Sequence, residues 1–255
     1  MTKPRLRAAL LVLLLLPAAP AQDAPIRVLC SNGFRAALQK LLPEAQRKIG
    51  HPINVQFGTS ANFKQAIEGG DSFDLLIVTP QVIGDLIKEG KIAAGTQVDL
   101  ASSGVGMAVR AGQPKPDVST GPAMKRTLLQ AKSIGIVKVG AGTPAIVDML
   151  NRLGISDQVQ PKIAYQEGAE RSMANVASGQ VTLAFGLISE IVSASGVQFA
   201  GPLPAEFQRK ILMSAGIASA TKNRKAAGEI IESLTGAPAA KAIQASGLEP
   251  IAKGK

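Results

Sequence analysis

The chain has 255 residues, 46% of them hydrophobic and 18% charged, enough apolar material for a packed core and far from disordered, collagen-like or disulfide-scaffold compositions. Lys and Arg number 28 against 18 Asp and Glu, giving a formal charge of +10. Aromatics are scarce, at seven Phe, one Tyr and no Trp, which argues against a surface that stacks nucleic-acid bases or sugar rings.

The first stretch in chain order is Met1–Ala21. Lys3, Arg5 and Arg7 precede an apolar run from Ala8 to Leu16, and the stretch ends in Ala19-Pro20-Ala21. A basic start, a short apolar middle and a small-x-small site describe a cleaved secretory signal peptide. The run is shorter than the roughly 20 apolar residues that a spanning helix needs. Loss of its three cations lowers the formal charge from +10 to +7. The expected product is exported and unanchored, which places it in a periplasm. Cys30 is the single cysteine, so no internal disulfide forms, and it reads as a buried thiol at a strand end.

Strand and helix patterns then alternate. Ile26–Cys30 is a short apolar strand, Ser31-Asn32-Gly33 a turn, and Phe34–Ile49 a helix that Pro43 should kink or divide. Ile53–Phe57 is a second strand, and Thr59 or Ser60 caps the helix Ala61–Glu68. Asp74–Val78 is a third strand, followed by the helix Gln81–Glu89 behind Pro80. After a break, Ser103–Arg110 reads as a strand and Ala111–Pro122 as a Pro/Gly-rich crossing. Helix Ala123–Lys132, strand Ile134–Val139, helix Pro144–Leu153, strand Lys162–Tyr165 and helix Ala169–Ser178 follow. Strand Val181–Phe185, helix Leu187–Ser193 and strand Val197–Ala200 lead to a second break at Gly201–Pro204. Strand Arg209–Ile217 and helices Lys222–Leu234 and Pro238–Ala245 complete the chain. This rhythm implies parallel βαβ units. The two breaks bracket a central block, so the flanking segments must pair with each other. The expected domains are a signal peptide at 1–21, a first lobe built from 22–105 and 209–255, and a second lobe at 106–208, with a cleft between the lobes.

Chemistry by elimination leaves little for an enzyme. One His, His51, sits in a turn and reads as solvated, and one His with one Cys makes no zinc site of the usual kind. No Gly-x-Ser-x-Gly elbow occurs, and Ser219-Ala-Thr-Lys222 lacks the companion motifs of a Ser-x-x-Lys enzyme, reading as a helix cap. The acidic residues form no obvious inward cluster. Cations such as Arg35, Lys40, Arg47 and Lys48 read as solvated helix faces, so no nucleic-acid partner is expected. The informative positions are strand-to-helix turns. Ser31 follows the first strand, Thr59 and Ser60 the second, and Thr143, with Gly140 and Gly142, a strand of the central block. Hydroxyls and open amides at helix N-termini form an anion site without a buried cation. Each turn taken alone reads first as a helix cap, and it is the three together, two in one lobe and one in the other, that point to a ligand cleft. Gly140-Ala-Gly142-Thr-Pro144-Ala145 also fits the dinucleotide pattern, though Asp157 and Glu167 straddle the acidic offset that pattern requires.

Val28-Leu-Cys30-Ser31-Asn32, Phe57-Gly-Thr59-Ser60-Ala61, Phe73-Asp74-Leu-Leu-Ile77, Gly106-Met-Ala-Val109, Ile188-Ser-Glu190-Ile191 and Gly201-Pro-Leu-Pro204 resemble, in order and spacing, the molybdate-binding branch of the type 2 periplasmic solute-binding proteins. The resemblance implies a two-lobed α/β fold, with parallel-dominated sheets flanked by helices and a ligand cleft at the hinge. It also implies an ABC permease as partner, no cofactor, no enzymatic activity, and a monomer that closes on its ligand. Carried over, Ser31, Thr59, Ser60 and Thr143 would hold a small oxyanion such as molybdate or tungstate. The late segment reads Phe185-Gly-Leu-Ile-Ser189-Glu190, so the tyrosine hydroxyl usual in molybdate binders is absent. The competing readings are an exported nucleotide-dependent enzyme using the Gly140–Ala145 turn, and a ligand-sensing module for a receptor.

Overall fold

The computed structural model describes residues 24–251; the expected signal peptide lies outside them. The chain opens with β1 (Ile26–Ser31), a 3-10 turn (Asn32–Phe34), α1 (Arg35–Ile49), β2 (Ile53–Gly58), α2 (Ser60–Glu68), β3 (Leu75–Val78), α3 (Pro80–Lys88) and β4 (Val98–Ser103). The middle comprises β5 (Val105–Arg110), α4 (Gly121–Gln130), β6 (Ile134–Val137), α5 (Thr143–Arg152), α6 (Ser156–Val159), β7 (Ile163–Gln166), α7 (Ala169–Ser178), β8 (Leu183–Leu187), α8 (Ile188–Val192) and β9 (Val197–Pro202). The end supplies β10 (Ile211–Ile217), α9 (Arg224–Thr235), α10 (Ala237–Gln244) and β11 (Glu249–Pro250).

Two sheets result, ordered β11-β4-β10-β3-β1-β2 and β7-β6-β8-β5-β9. The strands joined through helices are parallel: β1 with β2 and β3, and β6 with β7 and β8. The strands beside the two crossings run antiparallel, with β10 between β3 and β4, and β5 between β8 and β9. The sheets are therefore mixed, a correction to the parallel-dominated expectation. A strand that enters a sheet directly from the other lobe has no helical crossover to turn it parallel. The strand expected over Ser103–Arg110 is β5, which begins at Val105; Ser103 instead ends β4, a strand of the other sheet that the sequence reading did not place.

Burial explains why the inner strands read so clearly. In β1, Ile26, Val28 and Cys30 face one apolar cluster and Leu29 another; in β3, Leu75 and Ile77 alternate in the same way with Leu76 and Val78. Strands covered on both faces become continuous apolar runs. The larger cluster extends through both lobes, from Phe34 and Leu38 past Met213 to Phe185 and Leu187. Helix α1 stays one continuous element despite Pro43. Its buried stripe is Ala37, Leu38, Leu41 and Ala45, whereas Pro43 sits on the exposed side. There, the carbonyl that loses its amide partner is left to solvent, which limits the cost.

Both crossings pass through one small region. Gln208 in the second crossing accepts from the Val105 amide at 2.9 Å and donates to the Val105 carbonyl at 2.8 Å, pairing with the first crossing as a strand neighbour would. Ser189 of α8 donates to the Gly33 carbonyl at 2.9 Å, joining the second lobe to the first turn after β1.

Candidate functional site

A cavity of about 30 Å³ lies between the two sheets at the C-terminal ends of β1, β2, β6 and β8. That is where open α/β sheets present ligands. Ser31, Thr59, Ser60 and Thr143 all line it, so the structure brings together residues from three separate turns. Ser31 and Ser60 are 4% and 7% exposed, shielded from bulk water but open to the cavity.

The hydroxyls differ in what they have free. Among the described residues the Ser31 hydroxyl makes no hydrogen bond, so both its proton and its lone pairs are available. Thr59 caps α2 by accepting from the Asn62 amide at 3.1 Å, and Ser60 accepts from the Thr79 amide at 3.3 Å. Both retain a proton to donate. The amides of Ser60 and Ala61, in the open first turn of α2, add further donors and the positive end of the helix dipole. Thr143 does not fit its expected role. Its hydroxyl donates to the Val137 carbonyl at 2.6 Å, which fixes the turn and takes the proton away from the cavity. Its own amide is bound to the Gly140 carbonyl at 3.1 Å. The donors left on that side are the amides of Ala141 and Gly142, which are unpartnered among the described residues. A Cβ at Gly142 would stand 3.0 Å from the Val105 side chain, which would have to give by a few tenths of an ångström.

One wall carries a group that the sequence reading passed over. Glu190, in α8, lines the cavity, and its carboxylate accepts from the Leu187 amide at 3.0 Å. Burial pushes its pKa up to about 7, against the lowering effects of that amide and of the Arg35 charge. Phe185, fully buried, lines the same space and offers no hydroxyl. Asn32, Ala169 and Glu190 also line a second cavity, a groove of about 300 Å³ between α1 and α7–α8. Arg35 stands in that groove. Its guanidinium lies 4.4 Å from the Phe57 ring centre, donates to the Asn32 side chain at 3.0 Å and pairs with Glu170 at 3.4 Å. The solvated helix face expected for Arg35 is therefore a half-buried position at the cleft.

Glu190 had one sequence signal, its place three residues after the N-cap Leu187 of a short helix, where a carboxylate reaches back to the cap amide. Nothing in the chain order reveals that the same carboxyl borders the cleft. Among the described residues no group of three or more His, Cys, Asp or Glu is disposed to hold a metal ion. Cys30, the buried thiol, is fully covered in β1 and its ionisation is strongly disfavoured by burial.

Comparison with known proteins places this geometry. The chain is 30% identical to the aconitate isomerase of a Pseudomonas species over 97% of its own length and 98% of that protein's. It is 27% identical to the molybdate-binding protein ModA of Azotobacter vinelandii, covering 90% of this chain and 92% of the relative. The solved periplasmic molybdate-binding protein of A. vinelandii superposes with a TM-score of 0.74 at 20% identity, over 88% of this chain and 98% of that one. The family model described as bacterial extracellular solute-binding protein matches residues 26–249. With two α/β lobes and a cleft at the strand ends, the chain belongs to the bacterial extracellular solute-binding protein family.

Proposed function

We propose that the protein captures a small anion in the cleft between its lobes. The carrying observation is the convergence of Ser31, Thr59 and Ser60 with the Ala141–Gly142 amides on one cavity that no cation lines. The hydroxyls of Ser31 and Ser60 and the first amides of α2 donate from one lobe, and the Ala141 and Gly142 amides from the other. In this reading the protein is a periplasmic receptor that delivers its ligand to an ABC permease, with export supported by the basic-apolar start of the sequence. The relatives named for molybdate binding favour an oxyanion. The test is thermal unfolding of the purified protein against molybdate, tungstate, sulfate, phosphate and small carboxylates. A ligand at 100 times its Kd adds about 2.7 kcal/mol of stability. A flat response to the whole panel refutes the proposal.

A second reading rests on Glu190. An ionised Glu190 on the cavity wall repels any anion beside it, so capture alone requires that carboxyl to be protonated. A carboxyl that titrates near pH 7 is instead suited to carry a proton to and from carbon. The relative named aconitate isomerase, matched over nearly the whole chain, supplies a matching reaction. Ionised Glu190 would take a proton from the methylene carbon beside the double bond. The electron pair shifts into the conjugated carboxylates, the double bond migrates, and the Glu190 carboxyl, whose proton exchanges with solvent while it is held there, returns a proton at the other end of the three-carbon system. No oxidant or cofactor is needed. Incubation of trans-aconitate in deuterated buffer should yield the cis isomer with deuterium at carbon, and Glu190→Gln should abolish turnover while anion binding persists. Binding of trans-aconitate without turnover or exchange would leave capture as the sole activity.

A further inference from the structure

The cleft continues past the anion cavity, and the continuation carries the charge that the cavity lacks. The groove shares Asn32, Ala169 and Glu190 with the cavity, so the two spaces adjoin along one wall. Of the residues lining either space, Arg35 is the single cation. It is also held in place, lying over the Phe57 ring and fastened to the Asn32 side chain. A stacked, hydrogen-bonded guanidinium has already lost much of its rotamer freedom, and its planar fork matches a carboxylate.

A carboxylate already stands beside that fork, within ion-pair distance of one of its nitrogens. Glu170 reaches Arg35 at 3.4 Å while its side chain remains 82% exposed, and such exposed pairs contribute about 0–1 kcal/mol. A ligand carboxylate arriving from the cleft displaces Glu170 at little cost and keeps the charge match. A compact tetrahedral anion, by contrast, fills the inner cavity and leaves the groove of about 300 Å³ and its arginine unused.

Building on the anion-capture reading above, we infer that Arg35 forms a second anion subsite, and that the ligand is a di- or tricarboxylate. One carboxylate seats among Ser31, Ser60 and the helix amides, and another pairs with Arg35. The carbon chain between them passes beside Glu190.

Calorimetric titration of the full chain with acetate, molybdate, succinate and tricarballylate separates this inference from the reading beneath it. Tricarballylate should bind at least tenfold more tightly than acetate. Arg35→Gln should remove that advantage and leave acetate affinity unchanged, whereas Ser60→Ala should weaken both ligands. Glu170→Gln, at an exposed position with no packing to lose, should tighten tricarballylate binding severalfold by removing the competing carboxylate. Acetate or molybdate binding with no preference for tricarballylate overturns the second subsite and leaves anion capture standing. So does tricarballylate affinity unchanged by Arg35→Gln or not improved by Glu170→Gln. If none of the four anions binds, the second subsite falls, and anion capture falls with it when tungstate, sulfate and phosphate are silent as well.

Discussion

Replacing Glu190 with Gln separates the cost of that carboxyl's charge from its structural role. Gln keeps the volume and can still accept from the Leu187 amide, so the capping of α8 survives. What disappears is the ionised form. Burial raises the carboxyl from its ordinary 4.5 to about 7, so the folded protein holds this proton more tightly than the unfolded chain does. At 1.36 kcal/mol per tenfold in proton affinity, the ceiling is about 3 kcal/mol. Solvent at the outer part of this half-buried residue lowers that to about 1–3 kcal/mol. The sign follows from linkage. Below pH 4.5 the carboxyl is protonated in both states and costs nothing. As pH rises from 4.5 to about 7 the wild-type protein loses stability progressively, and above 7 the loss is complete. Urea unfolding at pH 4 and pH 8 should therefore show the variant equal to wild type at the lower pH and about 1–3 kcal/mol more stable at the higher. At roughly 2–4 °C per kcal/mol for a chain of this size, the melting temperature at pH 8 rises by several degrees. The same stability difference at both pH values would refute the burial argument, and with it the proton-carrying role.

Three further outcomes follow from particular contacts. Gln208→Ala removes both hydrogen bonds that tie the second crossing to Val105, and should cost about 1–3 kcal/mol while speeding hydrogen exchange of the Val105 amide; unchanged exchange would show that the two crossings are not coupled through this side chain. Cys30, fully buried, should resist an aqueous thiol reagent at pH 8 in the folded protein and react at once in urea, and rapid native labelling would contradict its place in β1. A Cβ at Gly135 would stand 2.8 Å from the Ala184 Cβ of the neighbouring strand, where neither side chain has a rotamer to yield, so Gly135→Ala should cost about 1–3 kcal/mol and Ala184→Gly should restore part of it; a strictly additive double variant would refute the contact.

How far the sequence could be read depended on where each residue found its partners. Helix α7 was readable to the residue, because Ala169, Ser172, Met173 and Val176 place its buried stripe within ten consecutive positions. Strands β1 and β3 were readable because both of their faces are covered. Strand β4 was not, since Asp99, Ser102 and Ser103 look like a loop. They form a strand because β10 supplies the pairing and Ser214 donates to Asp99 at 2.6 Å, 115 positions away in the chain. The site divides in the same way. Ser31, Thr59 and Ser60 follow strand ends, where local order alone aims them at a cleft. The commitment of the Thr143 hydroxyl to Val137 is a matter of turn geometry. The raised pKa of Glu190 and the stacking of Arg35 on Phe57 arise only once α8 and β2 have been brought to the same cleft.

A site built from hydroxyls and amides also constrains how binding couples to motion. A buried cation would attract an anion even in an open cleft, whereas neutral donors compete poorly with water until water is excluded. The donors here are divided between lobes, with Ser31, Ser60 and the α2 amides on one side and the Ala141–Gly142 amides on the other. In the proposed reading neither half satisfies an anion alone, so full affinity would require closure. Arg35 extends that logic outward. It lies on the first lobe, its present partner Glu170 lies on the second, and the pair spans the groove beside the inner cavity. A ligand carboxylate that takes the place of Glu170 exchanges a direct link between the lobes for one that runs through the ligand. Closure then depends on the ligand being long enough to reach both the inner donors and the arginine. An acid with a single carboxylate would satisfy one set and leave the other paired with the protein's own side chain, so selectivity for extended polycarboxylates would follow from the division of donors between the lobes.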